Sequence, residues 1–127
     1  MLLNHLDLQV PDVRETAAFF EAHFGFRQQG NQGSPAIAIL MGDGPFTLVL
    51  QHRDDSQYPE GFHLGFIVET PDEVHARHAQ LRAAGVDCSD VQVNGRGTMT
   101  YLRAPGGVLV EVSCRKVGER EVRVVPP

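Results

Sequence analysis

Residues 5–10 read HLDLQV and residues 63–68 read HLGFIV, nearly one strand written twice. Each opens His-Leu, ends in Val and alternates along its length. Each is followed by a helix-start signal. Asp12 with Glu15 three residues on, and Thr70 with Glu73, have the capping-box spacing, and Pro71 suits the first helical position. The paired histidines stand 58 residues apart (63 against 5), and the glycines that should end the two helices, Gly25 and Gly85, stand 60 apart. Self-similarity at a fixed offset is the mark of an internal duplication. A fold built from two equivalent halves is therefore expected.

The rest of the chain fits that plan. The first helix should reach about Phe24, with Ala17, Phe20 and Phe24 as its buried stripe. A weak strand and loop follow over 26–34. Strands are then expected over 36–41 and 46–51, turning at Gly42-Asp43-Gly44. Residues 53–61 are polar, contain Pro59 and lack periodicity, which makes them a linker. The second helix should run to about Ala84, with Val74, Leu81 and Ala84 inward. A short strand over 86–93 and two more over 98–103 and 108–113, turning at Ala104-Pro105-Gly106-Gly107, complete the second half. The order is β-α-β-β-β twice. The fold class is α+β: two tandem βαβββ modules forming an open, curved mixed sheet, a half-barrel around a central cleft. All 127 residues form one domain, with module 1 at about 2–53, a linker at 54–61, module 2 at 62–114 and a tail at 115–127 that is either an edge strand or a loose extension.

Composition narrows the partners. Net charge is −5 with both signs interspersed, so there is no basic stripe for nucleic acid. No apolar run approaches the length of a membrane span, and MLLNHLDLQV lacks the form of a signal peptide. Cys88 and Cys114 have no metal-binding spacing and are read as buried thiols of a cytoplasmic protein.

Alternation assigns faces. Leu6, Leu8 and Val10 must point to a helix, which puts His5, Asp7 and Gln9 on the other side, toward the cleft. Leu64, Phe66 and Val68 likewise leave His63, Gly65 and Ile67 on the cleft side. Equivalent histidines in duplicated halves would approach each other across a pseudo-twofold axis. In the last strand Glu111 lies opposite Val108, Val110 and Val112. A carboxylate among aliphatic residues needs a partner, and a metal, an arginine or solvent would each serve. Two imidazoles and one carboxylate suit a divalent ion with open positions; Fe, Mn, Ni and Zn all accept them.

HLDLQVPD, HLGFIVETPD and TMTYLRAPGGVLVEV together resemble the vicinal oxygen chelate superfamily, which includes glyoxalase I, fosfomycin-resistance thiol transferases, extradiol dioxygenases and bleomycin-binding proteins. The resemblance covers about residues 2–114. It implies one divalent metal ion held by His5, His63 and Glu111, with Glu111 and Tyr101 as catalytic residues. It also implies a homodimer, a small-molecule substrate, and neither nucleic acid nor membrane as partner. The family's turn usually reads Asp-Pro-Asp-Gly where this chain has Ala-Pro-Gly-Gly. A fourth ligand found in glyoxalase I would fall near Val49, and no carboxylate occurs from Gly44 to Arg53. The three-ligand set is closer to the thiol transferases and dioxygenases.

The implied function is a metal-dependent glyoxalase- or dioxygenase-like enzyme acting on an oxygen-chelating substrate. The alternative is a protein that sequesters an antibiotic or natural product without chemistry. Asp7, Gln9, Gln51, Tyr101, Arg103 and Arg96 are the candidate substrate contacts. Parity alone leaves Tyr101 open between cleft and core, and Arg96, between two glycines, is either a mobile clasp or only a turn. His23, His75 and His78 sit at polar helical positions and are read as solvated.

Overall fold

The structure, a computed structural model, describes residues 1–30 and 32–116. Two compact units emerge. The first comprises Met1–Phe62 and Ala104–Val108; the second comprises His63–Arg103 and the chain from Leu109.

In the first unit, strand β1 (His5–Val10) leads into helix α1 (Val13–Phe24), followed by β2 (Arg27–Gln29), β3 (Ile37–Met41) and β4 (Thr47–His52). The sheet order is β1-β4-β3-β2, with β1 parallel to β4 and the other pairs antiparallel. Asp12 caps α1, its Oδ1 accepting the Glu15 N–H at 2.9 Å, as the capping spacing predicts. Gly25 ends the helix in the left-handed region at φ 70°. Helix α1 packs on β2, β3 and β4. Its Val13, Thr16, Ala17 and Phe20 are buried, as are Leu8, Val10, Leu40, Leu48 and Leu50 of the sheet. Each large aliphatic or aromatic side chain so buried contributes roughly 1.5–3 kcal/mol. Phe24 is only half-buried, so the inner stripe lies a turn nearer the N-terminus than the expected one.

The second unit repeats the plan with β5 (His63–Ile67), α2 (Pro71–Ala83), β6 (Gln92–Asn94), β7 (Gly97–Arg103) and β8 (Leu109–Arg115), in the order β5-β8-β7-β6. Thr70 Oγ1 accepts the Glu73 N–H at 3.2 Å, and the Glu73 carboxylate accepts the Glu69 N–H at 3.0 Å. The reciprocal half of the capping box thus lands one residue upstream of the cap. At the other end Gly85 (φ 82°) donates to the Arg82 carbonyl and Val86 to that of Leu81, a Schellman termination. Val74 and Leu81 are buried, but Ala84 is exposed, because the chain is already unwinding there.

The α+β reading with two βαβββ modules holds. The strand expected over 86–93 shrinks to Gln92–Asn94: Val86 is committed to the helix terminus, and Cys88 makes only an isolated bridge to Leu102. The turn between β7 and β8 is a short helical turn at Pro105–Gly107, whose tip Gly106 would place a Cβ 3.0 Å from the Pro11 ring. The expected tail from residue 117 onward lies outside the described residues. His75 is exposed as expected. His23 instead packs edge-on against Phe19, and the Nε2 of His78 is shut off from solvent.

One glycine has no substitute. Gly97 opens β7 at φ 136°, and a Cβ there would stand 2.1 Å from the Cys114 carbonyl oxygen. Gly97→Ala is expected to cost about 3 kcal/mol or more, read as a lowered midpoint in chemical denaturation.

Candidate functional site

The second unit brings three chemistry-bearing side chains together on one sheet face. Strand β5 runs parallel to β8 in the register His63↔Leu109, Gly65↔Glu111, while antiparallel β7 sets Tyr101 opposite Glu111. Thr100 and Leu102 of β7 and Val110 and Val112 of β8 fill the core, so Tyr101 and Glu111 emerge on the other face. That settles the position of Tyr101, which parity alone left open. The Tyr101 hydroxyl donates to Glu111 Oε1 at 2.7 Å. The other carboxylate oxygen, Oε2, faces His63 Nε2 at 3.7 Å. The His63 and Tyr101 rings meet edge-to-face, with centroids 6.2 Å apart. A Cβ on Gly65 would sit 3.6 Å from Glu111 Oε2, ordinary contact, so the glycine leaves clear space beside the carboxylate.

Glu111 therefore has the partners its setting demands, a phenol and an imidazole, and the phenol was not among those expected. With 17% of its side chain exposed it is accessible, yet its direction is fixed by the Tyr101 bond. The hydrogen bond to Glu111 holds the Tyr101 phenol above its ordinary range; burial and the Glu111 charge add to this, and Arg96 opposes it by charge and hydrogen bonding. Arg96 thus reaches Tyr101 from a turn that is pinned rather than loose. Its N–H donates to Asn94 Oδ1 at 2.8 Å and its carbonyl accepts the Lys116 N–H at 3.2 Å. Arg103 is exposed two residues beyond Tyr101 on the same face.

In the first unit His5, Asp7 and Gln9 are exposed, opposite buried Leu8 and Val10. His5 Nδ1 hydrogen-bonds Asn4 Oδ1 at 2.8 Å, Asp7 Oδ2 accepts Gln51 Nε2 at 2.6 Å, and the backbone register pairs Asp7 with Val49. His52 is engaged with Asp54 at 2.8 Å. The linker and the first residue of module 2 contribute what sequence reasoning missed: Tyr58 and Phe62 stack at 5.5 Å, and the Tyr58 hydroxyl donates to the Gln9 carbonyl. Two aromatic residues four apart in a polar stretch were the available signal. Burial raises the Tyr58 phenol as well. Cys88 and Cys114 are buried free thiols, and burial pushes Cys88 up, away from nucleophilic use.

Among the described residues no three His, Cys, Asp or Glu side chains gather closely enough to hold a metal ion. In the second unit His63 Nε2 and Glu111 Oε2 come within 3.7 Å of each other. Two bonds of about 2.1 Å from one ion at a right angle put the donor atoms about 3 Å apart, so a side-chain shift of less than 1 Å would suffice. The donor chemistry fits a divalent first-row ion.

The chain belongs to the Glyoxalase/Bleomycin resistance protein/Dioxygenase superfamily, whose family model matches residues 2–112. It is similar to the structure of a possible glyoxalase from Bacillus cereus, with 32% identity and a TM-score of 0.82 over 90% of this chain and 99% of that one. The fold is shared with a lactoylglutathione lyase from Agrobacterium tumefaciens at 17% identity and TM-score 0.74, covering 89% of this chain and 92% of that one. It is shared too with the fosfomycin resistance protein FosX from Listeria monocytogenes, in complex with Mn(II) and 1S,2S-dihydroxypropylphosphonic acid, at 20% identity and TM-score 0.77, covering 92% and 95%. No curated protein matches. Among the described residues no helix is long and apolar enough to cross a membrane.

In a Tyr58→Phe background, absorbance titration of the remaining phenol should place Tyr101 above the usual tyrosine range of about 10. Glu111→Gln should bring it down and Arg96→Ala should raise it further. Because the folded phenol keeps its proton to higher pH than the unfolded one, its contribution to stability is intact below pH about 10 and is lost as pH rises through the folded value.

Proposed function

We propose that the protein is a metal-dependent glyoxalase- or dioxygenase-like enzyme that acts on a small substrate offering two oxygens to one divalent ion. The observation that carries this reading is the half-buried Glu111, clasped by the Tyr101 hydroxyl and facing His63. His63 and Glu111 would hold the ion, with His5 as the third donor that the resemblance implies. When bound, the ion supplies Lewis acidity to the substrate's oxygens.

The remaining roles fall to the chain itself. Tyr101 keeps Glu111 oriented through Oε1, which leaves Oε2 directed toward His63. The same hydroxyl can donate to a substrate oxygen when Glu111 is engaged elsewhere, a second use for one proton. Arg96, set beside Tyr101 by its pinned turn, adds positive charge for an oxyanion, and Arg103 extends it. Asp7, Gln9 and Gln51 supply polar substrate contacts, with Asp7 and Gln51 already oriented by their mutual bond.

The free cysteines support a reducing, cytoplasmic setting. We also propose a homodimer, in keeping with the family; light scattering that shows only monomer at micromolar concentration would refute it. A sequestering protein is the second reading, favoured by the stacked Tyr58–Phe62 pair, and would return its ligand chemically unchanged.

The test is metal titration of chelator-treated protein, with elemental analysis after desalting. One divalent ion per chain is expected for the wild type. Affinity should fall by at least about tenfold in each of His5→Ala, His63→Ala and Glu111→Ala, since ligand loss outweighs the tenfold or larger effects of outer-shell changes. Metal at trace level only, or uptake unchanged in Glu111→Ala, would overturn the assignment.

A further inference from the structure

Within the first unit the segment after β4 folds back over the end of β1, and the two line an open cavity of about 470 Å³. Asp7 and Gln9 of β1 line it, together with Arg53, Asp55, Tyr58 and Phe62 of that segment. Its volume falls in the range of small-molecule sites.

Three features define what would fit. Arg53 Nε and Asp55 Oδ1 form an ion pair at 2.9 Å, so these two charges cancel. Asp7 is bonded to Gln51, a neutral amide, which orients the carboxylate and leaves its charge in place. The cavity lining is thus net negative by one charge, and that charge is Asp7. The third feature is the aromatic pair. Tyr58 and Phe62 lie nearly parallel, 10° between planes, and the pair is immobilised at both ends. The Tyr58 hydroxyl donates to the Gln9 carbonyl, and the Phe62 N–H donates to the Pro59 carbonyl at 3.1 Å. Phe62 nonetheless keeps 37% of its surface exposed, unusual for a phenylalanine already stacked on a neighbour.

A carboxylate whose charge is unmatched, beside fixed aromatic rings, is the chemistry that recognises an organic ammonium group. The carboxylate takes the charge, and the ring faces take the cation or an attached apolar body. We infer that the cavity formed by Asp7, Gln9, Tyr58 and Phe62 is a binding site for a small organic ammonium ion bearing an aromatic or apolar ring. All of its residues lie in the first unit; Asp7 and Gln9 are among the polar contacts proposed above, but the assignment does not depend on the metal reading.

The experiment compares phenethylammonium with phenethyl alcohol, which has nearly the same shape without the charge. Each is titrated into the full chain, with and without divalent metal, and followed through the Tyr58 and Phe62 ring resonances. Saturable shifts are expected with the ammonium, and at least about tenfold weaker binding with the alcohol. Asp7→Asn, which preserves the shape and the acceptor for Gln51, should reduce the ammonium to the level of the alcohol. Phe62→Ala should weaken both ligands, with Phe62→Leu as a control for packing. Equal binding of the two ligands, ammonium binding unchanged in Asp7→Asn, or no saturation with either ligand would overturn the assignment. A chain that failed to take up metal but bound the ammonium would refute the enzyme reading and leave this site standing.

Discussion

The candidate site depends on the parallel pairing of β1 with β4 and of β5 with β8. Each pairing seals one sheet face under a helix and fixes which alternate residues stay outside. In β8, Val110 and Val112 are buried while Glu111 between them is not. A slip of one residue would drive Glu111 into the core and turn the valines outward, at a cost no native packing could offset. The hydrophobic pattern thus specifies the placement of a charge. The sealed face supplies the stabilisation, and the open face is free to carry groups chosen for chemistry.

Glu111 shows how those groups constrain one another. Its carboxylate is bonded on one side and directed on the other, and the bond to it is what holds the Tyr101 proton so firmly. Arg96 tempers that hold from a turn whose own geometry depends on Gly97 passing close to the Cys114 carbonyl. A backbone contact on the strand edge is therefore linked through Arg96 and Tyr101 to the direction of a carboxylate. This linkage runs through groups in direct contact, as buried polar networks do.

Much of this was legible in the sequence because it rests on short-range rules. The alternation in HLDLQV and HLGFIV, the caps at Asp12 and Thr70, and the glycines at 25 and 85 all act within a few residues. The two βαβββ modules follow from them. What was less legible depends on distant partners. The strand expected over 86–93 lost its first half because Val86 closes a helix and Cys88 meets only Leu102. Tyr58 looked like linker because nothing nearby marks its destination, a carbonyl 49 residues earlier in the chain, and Phe62 was read as the first residue of module 2. Glu111 plainly required a partner, but a phenol ten residues upstream became visible only with the strand register. Ala84 was misplaced for a local reason, a helix that unwinds one residue before its glycine.

The grouping of Ala104–Val108 with the first unit has an evolutionary corollary. The chain carries the marks of a doubled ancestral module, yet the turn of the second module's last hairpin groups with the first unit, with Ala104 and Val108 at its base buried. A gene fission at the junction after Phe62 would take that turn away from one product and expose it on the other. Each product of such a split would lose packing that the whole chain has, so the doubling is easier to make than to undo.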